Sequence, residues 1–218
     1  MKQFEVQGLL ADALAWADKI GRLAGIRLIV DSGTLLGLIR NNNLLSWDMD
    51  LDFSVVDKQG NNKLLSIFES KKVHVWRYDG KIYKIDIDQA NDGPPLSADI
   101  KFFERKGDKW SCPAIRSAGM WGRDKGGASF LRRMINPVWR QALYRLDTAR
   151  FPLRTIVQVD NWEVPCIFFD KLVSINKMSH CLIPTDVEDY LSFRYGDWQI
   201  PNKDWIPCRD DGGYRRNE

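Results

Sequence analysis

Three aspartates at alternate positions, Asp48, Asp50 and Asp52, stand in an otherwise apolar stretch of the sequence. Alternation predicts a β-strand that presents all of them on one face, with neighbouring side chains roughly 6–7 Å apart. Like charges this close raise one another's pKa and oppose folding unless a counter-charge is present. A solvated strand face is the alternative interpretation. The apolar opposite face and flanks favour instead a divalent cation such as Mg²⁺, which prefers carboxylate oxygens.

A turn that could bind phosphate precedes this strand. Ser32, Gly33 and Thr34 stand between a predicted buried strand, residues 25–30, and a short predicted helix. Glycine lets the backbone approach a ligand closely, and free N–H groups at a helix N-terminus attract anions. Taken alone, such a turn is more often a plain helix cap; followed by the carboxylate strand, it predicts half of a nucleotide-phosphate site. Arg40, at the end of the helix, could add a charge-assisted contact, and a solvated arginine is an equally good interpretation.

A further carboxylate, Asp99, lies on a second predicted strand beside Ile100 and Phe102. If that strand neighbours the first, Asp99 can face the same cation as the aspartate row. Asp86 and Asp88 are rival candidates, but they run into a polar loop, and we assign them to its edge.

Local patterns predict the elements that must position these groups. Residues 1–25 form an amphipathic helix, and residues 61–70 form another. The Asp79-Gly80 pair predicts a hairpin between two β-rich segments, and residues 98–112 are expected to form a strand, a turn and a strand. We therefore expect an α/β unit with a mixed or largely antiparallel sheet in the first half.

The second half has a different pattern from about residue 116 onward. Residues 130–146 are expected to be helical, and residues 155–169 to form a hairpin with Asn161 near its turn. Thr185 has capping-box spacing to Glu188, which predicts a helix start, and Gly196 stands where a C-terminal glycine is expected. We predict one domain over residues 1–218, with a core at 1–115 and a mainly helical C-terminal lobe at 116–218.

Composition excludes several classes of protein. With 218 residues, 44% hydrophobic and 28% charged, the chain is typical of soluble globular proteins. A net charge of +3 gives no case for a nucleic-acid partner. The sequence has no run near the roughly 20 apolar residues of a transmembrane segment, so we expect a cytoplasmic protein. Its four cysteines are widely spaced, which favours free thiols over a zinc site.

The combined motifs resemble those of the LicD family, in the DNA polymerase β-like nucleotidyltransferase superfamily. Residues 31–55, DSGTLLGLIRNNNLLSWDMDLDFSV, are similar to its G-T-L-L-G-x-x-R segment followed by W-D-x-D-x-D. Residues 190–205, YLSFRYGDWQIPNKDW, are similar to its closing Y-L-x-x-R-Y-G-x-x-W-x-x-P segment. In ADIKFF, residues 98–103, an acid precedes an apolar run as in the family, but Lys101 departs from the apolar pattern.

The resemblance implies an α+β fold with a nucleotidyltransferase-like mixed or antiparallel sheet flanked by helices. It also implies transfer of a phospho-alcohol group, such as phosphocholine, ribitol phosphate or glycerol phosphate, from a CDP-linked donor to a glycan hydroxyl, with release of CMP. Such a reaction belongs to cell-surface polysaccharide or lipopolysaccharide biosynthesis. A lipid-linked glycan acceptor would bring a cytoplasmic protein to the inner face of the membrane.

The resemblance further assigns residues to roles in that reaction. The phosphate-binding turn and the motif arginine match Gly33, Thr34 and Arg40, and Ser32 joins the turn. The catalytic carboxylates match Asp48, Asp50, Asp52 and Asp99. Of these, Asp50, Asp52 and Asp99 are expected to hold one or two Mg²⁺ or Mn²⁺ ions, while Asp48 is a ligand, a general base or a supporting group.

Three other functions are alternatives to this one. A nucleotidyltransferase that moves an NMP onto a small molecule would share both the turn and the carboxylates. A metal-dependent glycosyltransferase with a D-x-D motif would not need the turn and would release a nucleoside diphosphate. A catalytically inactive binding module would be expected to lack the carboxylates, and all of them are present.

Overall fold

The computed structural model of the protein describes residues 3–45, 50–71, 73, 75–78, 81–86, 97–117, 157–176 and 178–216. Asp48, Asp88 and the predicted helix at 130–146 lie outside the described residues. The predictions made for them stay predictions.

A seven-stranded mixed sheet forms the centre of the fold, in the order β3-β4-β5-β2-β1-β10-β9. The neighbours β2 and β5 are parallel, as are β1 and β10, and the other pairs are antiparallel. The expectation of a mixed sheet is therefore confirmed. Its strands are β1 (Leu28–Val30), β2 (Asp50–Val55), β3 (Val75–Tyr78), β4 (Lys81–Asp86), β5 (Ser97–Phe102), β9 (Leu172–Ile175) and β10 (Met178–Pro184).

Helices pack on this sheet and bury its apolar side chains. The first helix, α1 (Gln3–Ala24), turns a stripe that includes Ala13, Trp16 and Ile20 into the core. The helix α2 (Ser32–Asn41) leads from β1 toward β2 and ends at Asn42, which has the left-handed φ of 49° that asparagine tolerates. The helix α3 (Gly60–Ser70) follows β2, as predicted.

A second, four-stranded antiparallel sheet has the order β11-β8-β7-β6. Its strands are β6 (Glu104–Lys106), β7 (Lys109–Ser117), β8 (Val157–Pro165) and β11 (Tyr214–Arg215). The hairpin expected around Asn161 is wrong, because Asn161 lies within β8 and is paired with Pro113 of β7 and Arg215 of β11. Pairing on both edges holds the strand straight through a residue whose local preference is for turns.

Three short helices complete the described C-terminal part: α4 (Cys166–Asp170), α5 (Val187–Tyr195) and α6 (Pro207–Asp210). The capping residue of α5 is Asp186 and not Thr185, and its side chain makes no capping hydrogen bond. Gly196 does end this helix, with a φ of 65°. A mainly helical C-terminal lobe is not confirmed, since the described residues from 157 onward include four strands, two of which join the central sheet.

Candidate functional site

The start of α2 is built around one buried carboxylate. Asp31, with no exposed surface, is the capping residue of this helix and accepts the backbone N–H of Ser32 at 2.6 Å. It also accepts hydrogen bonds from Ser54 Oγ at 2.5 Å, Tyr190 Oη at 2.6 Å and Arg194 Nη1 at 3.0 Å. These donors come from β2 and α5. The carboxylate that caps α2 therefore also links the turn to two elements that are distant in the sequence.

Asp31 is ionised despite its burial. Burial by itself would raise the pKa of this carboxyl group, but the nearby Arg194 and Lys101 charges and the hydroxyl donors outweigh it and lower the pKa to about 2. A buried charge without such partners would cost several kcal/mol on the order-of-magnitude scale for buried ions. The turn after β1 therefore contains a permanent negative charge.

Ser32 adopts an unusual backbone conformation in this turn. Its φ of 46° lies in the left-handed region, which costs most L-residues about 1–2 kcal/mol. The Ser32 hydroxyl accepts hydrogen bonds from Lys101 Nζ at 2.7 Å and from Arg194 Nη2 at 3.2 Å. Two cationic side chains from β5 and α5 thus fix the strained residue from different sides.

The rest of the turn is bonded directly to the carboxylate strand. Gly33 donates its N–H to Asp52 Oδ2 at 3.1 Å, and the Asp52 N–H donates to Thr34 Oγ1 at 2.8 Å. The Asp31 N–H also donates to the Asp52 backbone carbonyl at 3.0 Å. The structure therefore brings together the two features predicted from sequence, the turn and the carboxylate strand. It differs from the expectation of free N–H groups, because those of Ser32 and Gly33 already donate to carboxylates.

The predicted carboxylates meet across two parallel strands. Asp52 on β2 is paired in register with Asp99 on β5, and Asp50 lies two residues before Asp52 on the same face. On the next strand, β4, Lys84 is paired with Asp99. The Lys84 ammonium lies 3.0 Å from Asp50 Oδ2 and 3.1 Å from Asp99 Oδ1. The neighbouring pair is Lys101 Nζ with Asp52 Oδ1, at 3.0 Å.

Burial and mutual repulsion change the ionisation of this group. Burial, with the charges of Asp52 and Asp50, raises the pKa of Asp99 to about 6 against the opposing effect of Lys84. Burial also raises the pKa of Asp52. The negative charges of Asp50 and Asp31 raise it further, and the positive charge of Lys101 lowers it. For Lys84 and Lys101, burial acts to lower the pKa, but the adjacent carboxylates prevail and raise it. Both lysines are therefore charged.

The donor chemistry of the site fits a hard cation. Asp50, Asp52 and Asp99 offer carboxylate oxygens, of which Asp99 Oδ1 lies 3.1 Å from the Lys84 ammonium. Within the described residues, no three His, Cys, Asp or Glu side chains are arranged as a ready metal site, and these carboxylates contact Lys84 and Lys101. The oxygen set is the kind that Mg²⁺ prefers.

Arg40 is placed away from the turn. It lies in the last turn of α2, eight residues after Ser32, which corresponds to about 12 Å along a helix axis. Its Nη1 donates to the backbone carbonyl of Trp198 at 3.2 Å, and its Nε donates to Asn41 Oδ1 at 3.2 Å. The arginine of the opening motif thus contacts the closing motif.

Sequence reasoning missed the basic side chains of the site. In the sequence, Lys101 is a departure from an apolar pattern and Arg194 is part of the closing motif, and neither observation predicts a contact with the turn. A signal for Arg194 did exist, since it follows Tyr190 by four residues and therefore shares its helix face. Tyr190 and Arg194 are both buried, with Asp211 as a further partner of the arginine.

Comparison with known proteins adds independent information. Residues 25–146, more than half of the chain, match the family model described as LicD/FKTN/FKRP, nucleotidyltransferase domain. This span contains the turn after β1, the aspartates of β2 and Asp99. A comparison with curated proteins gave no match. In the part of the chain that the structure describes, no helix combines the length and apolar character needed to cross a membrane.

Proposed function

Since the chain belongs to the LicD family of transferases, we propose that it transfers a phospho-alcohol group from a CDP-linked donor to a hydroxyl group of a glycan. In this reaction the hydroxyl oxygen of the acceptor forms a bond to the phosphorus of the phospho-alcohol. The bond from that phosphorus to the CMP oxygen breaks, CMP leaves, and the hydroxyl proton passes to a base or to solvent. Phosphocholine, ribitol phosphate and glycerol phosphate are the groups to test first.

The observation that carries the proposal is the hydrogen-bonded unit of turn and carboxylates. Gly33 and Thr34 are each bonded to Asp52, which is in register with Asp99. A phosphate bound at the turn would therefore lie beside the carboxylates. Phosphoryl transfer depends mainly on positioning and on neutralising charge. In this unit the turn would position the phosphate, and the carboxylates would hold the ion that neutralises its charge.

Asp50, Asp52 and Asp99 would hold a Mg²⁺ or Mn²⁺ ion, which would neutralise charge on the donor diphosphate. The chain's own cations have a separate task. The Lys101 ammonium lies 2.7 Å from Ser32 Oγ and 3.0 Å from Asp52 Oδ1, so it would offset the charge of Asp52 beside a bound anionic donor. Gly33 offers an N–H to a phosphate oxygen if Asp52 releases it. Asp48 is proposed as a ligand, a general base or a supporting group.

Calorimetric titration with CDP, UDP and ADP tests the proposal, each in Mg²⁺ and in EDTA. We expect CDP to bind best, and to need both the metal and Asp50. The variant Asp50→Asn should lose this binding, whereas Asp57→Asn should retain it. Asp57 is a matched control, because its side chain is 33% exposed against 31% for Asp50 and it is also paired with a lysine.

Donor analogues then identify the reaction through CMP release measured with a glycan acceptor. Preferential binding of another nucleotide, with transfer of its NMP to a small molecule, would replace the proposal by a nucleotidyltransferase. Release of a nucleoside diphosphate would indicate a glycosyltransferase. Folded protein that binds none of these nucleotides would contradict the proposal.

A further inference from the structure

Arg194 is the most completely bonded buried cation among the described residues. Its side chain is 2% exposed, and each guanidinium nitrogen donates hydrogen bonds. Nε and Nη2 bind the two oxygens of Asp211 at 2.7 and 2.8 Å. Nη1 donates to Asp31 Oδ1 at 3.0 Å and to Tyr190 Oη at 2.8 Å, and Nη2 also reaches Ser32 Oγ at 3.2 Å. A planar fork is required for this pattern, and lysine lacks one.

The contacts of Arg194 fall into two groups, one to the C-terminal segment and one to the turn after β1. Asp211 belongs to the segment after α6, and its carboxylate fixes the guanidinium in a bidentate pair. The guanidinium also donates to Asp31 through Nη1 and to Ser32 through Nη2. The Trp162 ring, 4.9 Å from the guanidinium carbon, covers it. The arginine thus connects the C-terminal segment to the turn after β1 through a rigid group.

The turn needs such support. Ser32 has a φ of 46°, a conformation that persists only where surrounding contacts enforce it. The next two residues, Gly33 and Thr34, are the ones bonded to Asp52. A change of backbone angle at Ser32 would therefore move the groups that join the turn to the carboxylates.

We infer that Arg194 is a positioning residue that sets the conformation of the Ser32 turn through Asp31 and the Ser32 hydroxyl. It does not reach Asp50, Asp52 or Asp99 by any described hydrogen bond, so its effect passes through the turn. The consequence for donor binding rests on the proposed function. The consequence for the turn itself does not.

Hydrogen exchange of the full chain tests the inference without any substrate. In Arg194→Lys, which keeps a positive charge between Asp31 and Asp211, we expect amides in a peptide covering residues 28–36 to exchange at least about tenfold faster. The matched control is Leu191→Ala. Leu191 is fully buried on the same helix and has no polar group to offer the turn, yet its truncation should lower global stability by a comparable or larger amount.

A second variant guards against misfolding of the first. Asp211→Asn leaves the turn residues untouched and keeps one acceptor oxygen, but loosens the anchor of Arg194. Faster exchange at residues 28–36 in both Arg194→Lys and Asp211→Asn, and not in Leu191→Ala, would support the inference. Unchanged exchange in folded Arg194→Lys would overturn it, as would equal acceleration in Leu191→Ala.

CDP titration of the same variants separates the two proposals. If the wild-type protein binds CDP, Arg194→Lys should weaken this binding at least about tenfold, whereas Leu191→Ala should not, at a temperature where both are folded. A wild-type protein that binds no CDP would contradict the proposed function. The hydrogen-exchange experiment would still decide the role of Arg194.

Discussion

Asp52 and Asp99 stand opposite each other on the parallel strands β2 and β5. They are 47 positions apart in the sequence, and each faces a different lysine: Asp52 faces Lys101 at 3.0 Å, and Asp99 faces Lys84 at 3.1 Å. Two carboxylates this close would repel each other without those cations. The candidate site is therefore a cluster of alternating charges, and its stability and its chemistry depend on the same residues.

Asp50→Asn and Asp52→Asn should differ in their effect on folding. Both should lower CMP release about a thousandfold or more if these carboxylates hold the catalytic ion. Only Asp52→Asn should also lower the thermal unfolding temperature strongly, because Asp52 bonds Gly33 and Lys101 whereas the Asp50 side chain is 31% exposed. Transfer assays and circular dichroism check this. Near wild-type turnover of folded Asp50→Asn would contradict the assignment.

Lys101→Met should destabilise the protein by about 3–5 kcal/mol, the range for breaking a buried ion pair. Asp52 and Lys101 are each only 16% exposed, so the carboxylate that remains cannot be fully solvated. Urea denaturation in EDTA measures the effect. Lys63→Met is the control, because its more exposed pair with Asp57 should contribute only about 0–1 kcal/mol. Equal stability of the two variants would show that the Lys101 pair is not structurally important.

Asp99 should make stability depend on pH in acid. Its pKa is raised from 3.8 to about 6 on folding, so the folded state binds a proton more tightly than the unfolded state. The stabilisation linked to this proton is complete below pH 3.8 and is lost as the pH rises through about 6. Denaturation in EDTA should therefore show the free energy of unfolding of wild type falling relative to Asp99→Asn across this interval. A constant difference between the two proteins would contradict the raised pKa.

Gly37→Ala should destabilise the protein, although alanine is the better helix former by about 1 kcal/mol. A Cβ atom at position 37 would lie 2.5 Å from the backbone carbonyl oxygen of Asn43 and 3.1 Å from the Leu45 N atom. Backbone atoms cannot rotate away as a side chain can, and overpacking typically costs about 1–3 kcal/mol. Chemical denaturation measures whether the free energy of unfolding falls or rises. A stabilised variant would show that the segment leading to β2 can move aside.

Much of the site could be predicted from local pattern. The turn, the helix α2, the strand β2 with Asp50 and Asp52 on one face, and Asp99 on a later strand were all visible in the sequence. Each depends on features within a few residues: a side chain that caps a helix, the alternation of side chains along a strand, or a glycine that has no side chain. The end of α5 at Gly196 follows the same logic.

Other features depend on partners that are distant in the sequence. Asn161 has the local preference of a turn residue, yet β7 and β11 pair with it and hold it in a continuous strand. Arg40 donates a hydrogen bond to the Trp198 carbonyl, 158 positions further along the chain, and its predicted contact with a donor phosphate stays a prediction.

Local sequence patterns predict the helices and strands at the site and the carboxylates that they present, because alternation and capping act over short distances. Only the tertiary structure decided which cations neutralise those carboxylates. Lys84 and Lys101 reach the site because β5 pairs with β2 and β4 pairs with β5. Arg194 reaches it because α5 lies against the turn. Charge neutralisation in a buried site depends on distances in space, and the spacing of residues along the chain does not predict these distances.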